Sequence, residues 1–207
     1  MSDVLVWTDV ETTGLDPQED VILEVGMIAT DYEANAIGVE PLHVVSRPTS
    51  EQVGRMGGEA LHMHMSNGLI DECGISTLSL PAVASSVRSW LGGLPVDGRI
   101  VLAGSSVHFD RRFLGRLGVL GRVDHRMLDV STLDELAAHL YPDVHAHRPP
   151  RTTNHRVMAC LHDSMALYRY YRERLLGGPR LTPRARRAHM AVRQPLRQGN
   201  GTTIGRR

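Results

Sequence analysis

Residues 4–10 (VLVWTDV) are nearly all apolar, several of them are β-branched, and the run ends in the turn-forming segment ETTGLDP with Gly14 and Pro17. A short, continuous apolar run of this kind predicts a strand that is buried on both faces, because a half-exposed strand would alternate apolar and polar residues. The first predicted strand therefore lies at the centre of a sheet, and its carboxyl end opens into a turn.

The remaining patterns predict an α/β chain with a mixed sheet of about five strands. Apolar runs at 21–29 and 36–45 follow at hairpin spacing, with the turn at Ala34 and Asn35. Residues 51–79 are irregular apart from short helical pieces, and residues 142–153, rich in proline and histidine, predict a loop. Ser131 is a candidate N-cap for the helix that follows it. The other predicted strands are 99–104 and 127–130. One further helix is predicted to start at Pro81, and three others to cover 109–117, 132–140 and 156–176.

Composition excludes several classes of protein. The 207 residues are 42% hydrophobic and 22% charged, which is enough for a soluble core and excludes wholesale disorder. No apolar run approaches the ~18 residues that cross a bilayer, so we predict no membrane partner. Two cysteines do not make a disulfide framework, and we therefore expect a cytoplasmic protein.

The charge is unevenly distributed along the chain. The net charge is zero, yet nine arginines and no acid lie between Arg174 and Arg207, so residues 1–173 carry a charge of −9. The arginine-rich stretch follows Gly177-Gly178-Pro179 and has no clear apolar period. This pattern predicts one domain at residues 1–178 and a basic, disordered tail at 179–207.

A pair of acids stands at the end of the first predicted strand. Asp9 and Glu11 are two residues apart, so their carboxylates point to the same face. Asp110 follows the fourth predicted strand, and neighbouring central strands would bring it to the same edge of the sheet. Close like charges are unfavourable unless a cation lies between them, and oxygen ligands suit Mg²⁺ or Mn²⁺. A solvated strand end is the alternative for an acidic pair alone.

Three segments carry a family resemblance. The segment WTDVETTGLDP (7–17) resembles the first motif of the DEDDh 3′→5′ exonucleases, and its GLDP ending is most similar to the oligoribonucleases. The segment LAGSSVHFDRRFL (102–114) resembles their second motif, and HRVMACLHDSMALYRYYR (155–172) resembles the third. Residues 64–71 and 127–133 are similar to oligoribonuclease segments as well, so the resemblance covers roughly residues 4–175 in order.

The resemblance implies a ribonuclease H-like fold, hydrolysis of short RNA from its 3′ end, and a homodimer. It implies two bound ions, Mg²⁺ or Mn²⁺, held by Asp9, Glu11 and Asp110. Two ions can hold the scissile phosphate, activate the attacking water and neutralise the leaving oxygen. His155 is the implied general base, a role that suits a side chain with a pKa near neutrality.

The fourth acid of the family pattern is missing. The family aspartate lies five residues after the histidine, where this chain has Cys160. Asp163 is the nearest acid, one helical turn further on, and we take it as the candidate fourth metal ligand. Cys160 itself and a site with three carboxylates are the alternatives, and a thiolate suits Mg²⁺ poorly.

The resemblance also implies a set of substrate contacts. Leu15 matches a leucine that wedges between the two bases of a dinucleotide. Ser106, Arg126 and Ser131 match a cap on the 5′ phosphate of the substrate, in which a guanidinium and two hydroxyls can donate hydrogen bonds. His64 matches a histidine near the substrate.

Two rival functions stay open at this stage. One is a DEDDh exonuclease that acts on longer DNA or RNA, with the arginine tail in contact with phosphates. The other is a non-catalytic nucleic-acid-binding module, which Cys160 favours. It is also favoured by two departures in the phosphate cap, Ser105 in place of a family asparagine and His125 in place of a tyrosine.

Truncation after Gly178 tests the tail. We expect cleavage of a dinucleotide to stay almost unchanged, because two nucleotides cannot reach both site and tail. Binding to a 20-mer RNA should weaken and depend less steeply on salt, since fewer counterions are released. The measurement is the slope of log affinity against log salt, and equal slopes for both proteins would show that the tail does not touch RNA.

Overall fold

A computed structural model of the protein describes residues 3–152 and 154–177. The predicted tail at 179–207 lies outside these residues. The strands are β1 Val4–Thr12, β2 Ile22–Thr30, β3 Leu42–Val45, β4 Ile100–Gly104 and β5 Val123–Asp129. The helices are α1 Ser50–Gly54, α2 Gly58–Ser66, α3 Leu69–Ile75, α4 Leu80–Gly92, α5 His108–Arg116, α6 Val130–Leu140, α7 Pro142–Ala146 and α8 Val157–Leu175. None of the described helices has the length and apolar character of a membrane span.

The five strands form one mixed sheet in the order β3-β2-β1-β4-β5. The β1–β2 and β2–β3 pairs are antiparallel, whereas β1–β4 and β4–β5 are parallel. Trp7 of β1 lies opposite Ile28 of β2 and Ala103 of β4. The central position predicted for the first strand is therefore confirmed, as is the α/β class with a mixed five-stranded sheet.

The two faces of the sheet carry separate hydrophobic cores. Val4, Val6 and Val10 point to one face and pack in the core that includes residues of α4. Leu5 and Trp7 point to the other, in the core that contains one side of α8. Because side chains alternate along a strand, Asp9 and Glu11 continue the α8 side of β1. The apolar run at residues 4–10 is continuous because a hydrophobic core covers each of the two faces of β1.

Two local predictions are wrong. Ser131 does not cap the helix after β5: Asp129 occupies the N-cap position, and its carboxylate accepts a hydrogen bond from the backbone N–H of Ser131. A carboxylate accepts a hydrogen bond from an unpaired backbone N–H at the start of a helix as well as a hydroxyl does. Its negative charge also interacts favourably with the positive end of the helix dipole. The segment 142–153 is not all loop, since α7 opens with Pro142, whose fixed φ suits a first helical position.

The third strand is shorter than predicted. Only residues 42–45 of the apolar run 36–45 form a strand, apart from an isolated bridge between Ala36 and Thr30. Gly38 has φ +77°, a left-handed conformation that interrupts an extended chain. The turn before it is held by the Asp31 carboxylate, which accepts hydrogen bonds from the backbone N–H groups of Glu33 and Asn35.

Helix α8 packs closely on β2 at Gly26. A Cβ at this position would lie 2.8 Å from Cγ2 of Val157 and 3.0 Å from Cδ1 of Leu161. The absence of a side chain therefore sets how near the first turns of α8 approach the sheet. Those turns follow His155 and carry Cys160, so this packing positions two candidate functional residues.

Gly26→Ala should destabilise the protein by about 1–3 kcal/mol, because the added methyl group overpacks the contact between β2 and α8. The measurement is the free energy of unfolding in urea. Gly74→Ala is the matched control, since nothing lies within 4 Å of a Cβ there and the residue belongs to α3. We expect that control to change stability by no more than about 1 kcal/mol. Equal stability of the Gly26 variant and the wild type would contradict the close-packing account.

Candidate active site

Three carboxylates meet where β1 ends. Asp9 and Glu11 lie on one face of the strand, and Asp110 lies in the first turn of α5, which follows β4. Asp110 is only 3% exposed, and its Oδ1 accepts a hydrogen bond from the backbone N–H of Val10 at 2.8 Å. That bond fixes the start of α5 against the end of β1. The predicted approach of Asp110 to the acidic pair is what the parallel β1–β4 pairing produces.

Burial and like charge disfavour the ionised forms of these acids. Burial raises the pKa of Asp9 to about 7, and the charge of Glu24 adds to the effect. Burial, followed by the charge of Asp9, raises the pKa of Glu11 to about 9. The same two causes raise the pKa of Asp110 well above its usual range. Glu11 also accepts no hydrogen bond from a described residue. Buried, crowded carboxylates with free oxygen lone pairs fit a divalent cation, which would stabilise all three charges at once.

Cys160 completes a possible ligand cluster. One ligand atom each from Asp9, Glu11 and Cys160 lie within 4.8 Å of one another, and this is the one such group in the described part of the chain. The Cys160 thiol donates a hydrogen bond to the Asp9 carboxylate, which lowers the pKa of Asp9 and partly offsets its burial. The Cys160 sulfur lies in the site because the first turn of α8 lies beside the end of β1.

Asp163, the predicted fourth ligand, lies outside that cluster. Its two carboxylate oxygens accept hydrogen bonds from the backbone N–H of Thr152 at 2.7 Å and from the Thr152 hydroxyl at 2.8 Å. Asp163 and Asp9 line the same small cleft, of about 110 Å³, together with Cys160 and Ser164. Asp163 therefore lies at the edge of the site, and its oxygens accept hydrogen bonds from Thr152.

His155 is exposed and precedes α8 in a left-handed conformation, with φ +57°. A non-glycine residue in this region costs about 1–3 kcal/mol, so the surrounding structure must hold it. The side-chain amide of Asn67 donates hydrogen bonds to the carbonyls of Asn154 and His155, at 3.1 and 2.6 Å. Asn67 lies in the turn between α2 and α3, which thus fixes the backbone of the predicted general base.

A partly buried ion-pair network anchors the next residue, Arg156. Its guanidinium donates to both oxygens of Glu24, at 2.9–3.2 Å, and to both oxygens of Glu72, at 2.6 and 2.9 Å. Glu24 is 1% exposed and also contacts His43 at 2.6 Å. These carboxylates raise the pKa of Arg156 above its usual range. Sequence reasoning missed this network, although one signal was present: Glu24 is the only acid within the apolar run 21–29.

A second cleft lies beside Glu11 and contains two predicted substrate residues. It has a volume of about 350 Å³ and is lined by Leu15, His64 and Phe109 among others. Leu15 is 79% exposed at the tip of its turn. Nε2 of His64 donates to the carbonyl of Thr12 at 3.1 Å, while Nδ1 is buried without a hydrogen-bond partner among the described residues. Burial lowers the pKa of His64, which keeps its imidazole neutral.

The predicted phosphate cap is assembled only in part. Ser106 has φ +55°, and its backbone N–H donates to the side chains of Asp129 and Ser131, at 2.9 and 3.0 Å. The two serine hydroxyls lie 3.3 Å apart. Arg126 does not join them: its guanidinium is 62% exposed, and Nη1 lies 3.7 Å from Asp124. The structure therefore brings the serines together and leaves the arginine exposed beside Asp124.

Comparison with known proteins gives a consistent family. The family described as Exonuclease (RNase T) matches residues 6–171. The chain is 37% identical over 175 residues to an oligoribonuclease of Streptomyces avermitilis, covering 84% of this chain and 87% of that protein. It is 33% identical over 184 residues to an oligoribonuclease of Mycobacterium sp. strain KMS, covering 86% and 84%.

The fold is similar to that of solved exonucleases. Exonuclease I from Methylocaldum szegediense superposes with a TM-score of 0.64 at 20% sequence identity. The match covers 84% of this chain but only 41% of that structure, so the chain spans less than half of the larger protein. At this identity, the likeness concerns the fold.

Arg156→Met should lower the free energy of unfolding by about 3–5 kcal/mol, because it leaves the buried Glu24 carboxylate without its cation. Urea unfolding followed by circular dichroism measures the change. Arg55→Met is the control: Arg55 pairs with Glu51 in the exposed helix α1, and we expect a loss below about 1 kcal/mol. Similar losses in the two variants would show that the Glu24–Arg156 pair does not anchor α8.

Proposed function

We propose, from the premise that the chain belongs to the RNase T exonuclease family and is a 3′→5′ exonuclease, that it degrades short RNA oligomers. In this proposal it acts as an oligoribonuclease and converts RNA of a few nucleotides, down to dinucleotides, into nucleoside 5′-monophosphates. The observation that carries the proposal is the meeting of Asp9, Glu11 and Asp110 at the end of β1, next to an open cleft.

The donor set fits the divalent ions that such hydrolysis requires. Asp9, Glu11 and Asp110 would hold two ions, Mg²⁺ or Mn²⁺, since they are crowded oxygen ligands and Glu11 has no hydrogen-bond donor among the described residues. When bound, the ions would neutralise charge on the phosphate and favour ionisation of the attacking water. The bond from the Val10 N–H to Asp110 keeps one of the carboxylates oriented before any ion arrives.

His155 is proposed as the general base. Its ring is exposed at the start of α8, where a substrate water can reach it, and its backbone is held by Asn67 and by the anchored Arg156. An imidazole nitrogen can accept the proton of the attacking water as a general base. A rigid backbone matters here because a displacement of about 1 Å can cost 10²-fold in rate.

The size of the cleft beside Glu11 supports a short substrate. Its volume of about 350 Å³ is at the lower end of small-ligand sites, ~300–1,000 Å³. Leu15 projects from its rim and presents an apolar surface on which a base can pack. The Ser106–Ser131 pair would bind a 5′ phosphate, and the exposed guanidinium of Arg126 would supply a positive charge to that phosphate.

We also propose that the enzyme is a cytoplasmic homodimer. In support, β5 is the last strand in the sheet order, and Met127 on this strand is 40% exposed. An outer strand has backbone groups free to pair with another chain. Light scattering after gel filtration measures the oligomeric state.

Asp9→Asn and Asp110→Asn should each abolish hydrolysis and leave the fold intact. Loss of one charge relieves repulsion among buried carboxylates, so the metal-free variants should unfold at the same or higher urea concentration. The assay measures release of 5′-monophosphate from a 5′-labelled RNA dinucleotide, with Mg²⁺ or Mn²⁺ and with a chelator. Asp143→Asn, on α7, is the matched control and should keep wild-type turnover.

The same assay with RNA and DNA oligomers of increasing length tests the substrate. A turnover that is highest for RNA dinucleotides and falls with length supports the proposal. Near wild-type turnover of either aspartate variant would contradict the proposed site. A preference for 20-mers would favour an exonuclease of longer chains, and binding without cleavage would favour a non-catalytic module.

A further inference from the structure

Cys160 is the one sulfur ligand in a site otherwise made of carboxylates. It lies in the first turns of α8, and its Sγ is within 4.8 Å of ligand oxygens of both Asp9 and Glu11. Magnesium binds oxygen and accepts thiolate poorly, whereas zinc and cobalt bind thiolate, imidazole and carboxylate readily. A sulfur in this position therefore changes which ions the site can hold.

The acid nearest to Cys160 on α8 does not take its place. Both carboxylate oxygens of Asp163 accept hydrogen bonds from Thr152, and recruitment to the cluster would break these bonds. Cys160, by contrast, is already in contact with the cluster through its hydrogen bond to Asp9. Of these two residues on α8, Cys160 is therefore the better placed to bind a metal ion at the cluster.

We propose that the Cys160 thiolate is a direct ligand of one of the two ions, and that this position, formed with Asp9 and Glu11, binds Zn²⁺ or Co²⁺ in preference to the Mg²⁺ or Mn²⁺ that carboxylates alone would hold. The inference rests on the proposed function only in placing the metal at the same site. When the ion binds, the thiol proton leaves to solvent, and the hydrogen bond from Cys160 to Asp9 is replaced by bonds from both residues to the ion.

The geometry is compatible with such an ion. Zinc–sulfur bonds are about 2.3 Å and zinc–oxygen bonds about 2.0–2.2 Å, so ligand atoms around one ion lie roughly 3.5 Å apart. The three ligand atoms lie within 4.8 Å of one another, so an ion between them requires them to approach by no more than about 1.3 Å. Three protein ligands and one open position are also the usual arrangement of a catalytic zinc site.

Cobalt spectroscopy tests the ligand directly, without reference to turnover. Titration of the full-length protein with Co²⁺ should produce near-ultraviolet sulfur-to-cobalt charge-transfer absorption. The absorption should persist in Cys73→Ala, which removes the buried cysteine of α3, and disappear in Cys160→Ser. A wild-type titration without this absorption, or one that Cys160→Ser leaves unchanged, would overturn the proposal.

A test on the unmodified protein avoids any doubt about folding of the variant. Zn²⁺ should protect Cys160 from alkylation, measured by mass spectrometry of peptides, and the same concentration of Mg²⁺ should not. Cys73 serves as the internal reference in each sample. Alkylation of Cys160 at the same rate with and without Zn²⁺ would contradict direct ligation.

Metal affinity and hydrolysis separate this inference from the proposed function. Competition with a chromogenic chelator should show Zn²⁺ affinity falling by at least about 100-fold in Cys160→Ser, the upper range for loss of residues that only support a ligand. Cys160→Asp should bind Mg²⁺ more tightly than the wild type. Dinucleotide hydrolysis without cobalt–thiolate absorption would overturn this inference and leave the proposed function standing. Cobalt–thiolate absorption without hydrolysis in the presence of Mg²⁺, Mn²⁺, Zn²⁺ or Co²⁺ would support this inference and contradict the proposed function.

Discussion

The ion pair between Glu24 and Arg156 is the interaction on which the arrangement of the site depends. Glu24 is buried within β2, and Arg156 precedes α8, so the pair joins the sheet to the helix at the point where the candidate base and the sulfur ligand enter. A buried carboxylate is unfavourable unless it is matched in charge and hydrogen-bonded, and Arg156 supplies both through two nitrogens. Gly26, two residues along the same strand, then allows the helix to pack against β2 without intervening side-chain volume.

The site itself opposes stability. Asp9, Glu11 and Asp110 are held close together in a region where burial and mutual repulsion disfavour their ionised forms. The fold keeps them there because the two hydrophobic cores hold β1 and α5, and the hydrogen bond from the Val10 N–H to Asp110 joins the two elements. Under the proposed function, a bound cation would turn this repulsion into attraction. The same three side chains that lower the stability of the metal-free fold would then be the ones that the reaction requires.

The chain shares the arrangement of its acidic residues with the family, and it differs from the family at Cys160. The shared motifs place carboxylates at the end of β1 and in the first turn of α5, which follows β4, and a cleft lies beside Glu11. Cys160 interrupts that pattern with a softer donor, while Asp163 is engaged by Thr152. The arrangement of the carboxylates follows the family motifs, and the proposed difference concerns only which ion binds there.

The amino-acid sequence alone determined the class of fold, the central first strand and the acidic pair. These follow from local rules: a continuous apolar run is buried, and residues two apart on a strand share a face. The sequence motifs also placed Asp110 near the pair, since parallel neighbours end at the same edge. Local rules were weaker at the helix after β5, where Asp129 caps in place of the predicted Ser131 because two polar residues two positions apart both offered a cap.

Only the tertiary structure decided which residues act together across the chain. The contacts of Arg156 with Glu24 and Glu72 join residues 132 and 84 positions apart, and nothing local to any of the three specifies the others. The choice between Cys160 and Asp163 is of the same kind. The two differ by less than one helical turn in sequence, and the orientation of α8 against β1 brings one to Asp9 and turns the other to Thr152. That orientation results from packing over the whole helix, which no short segment of sequence contains.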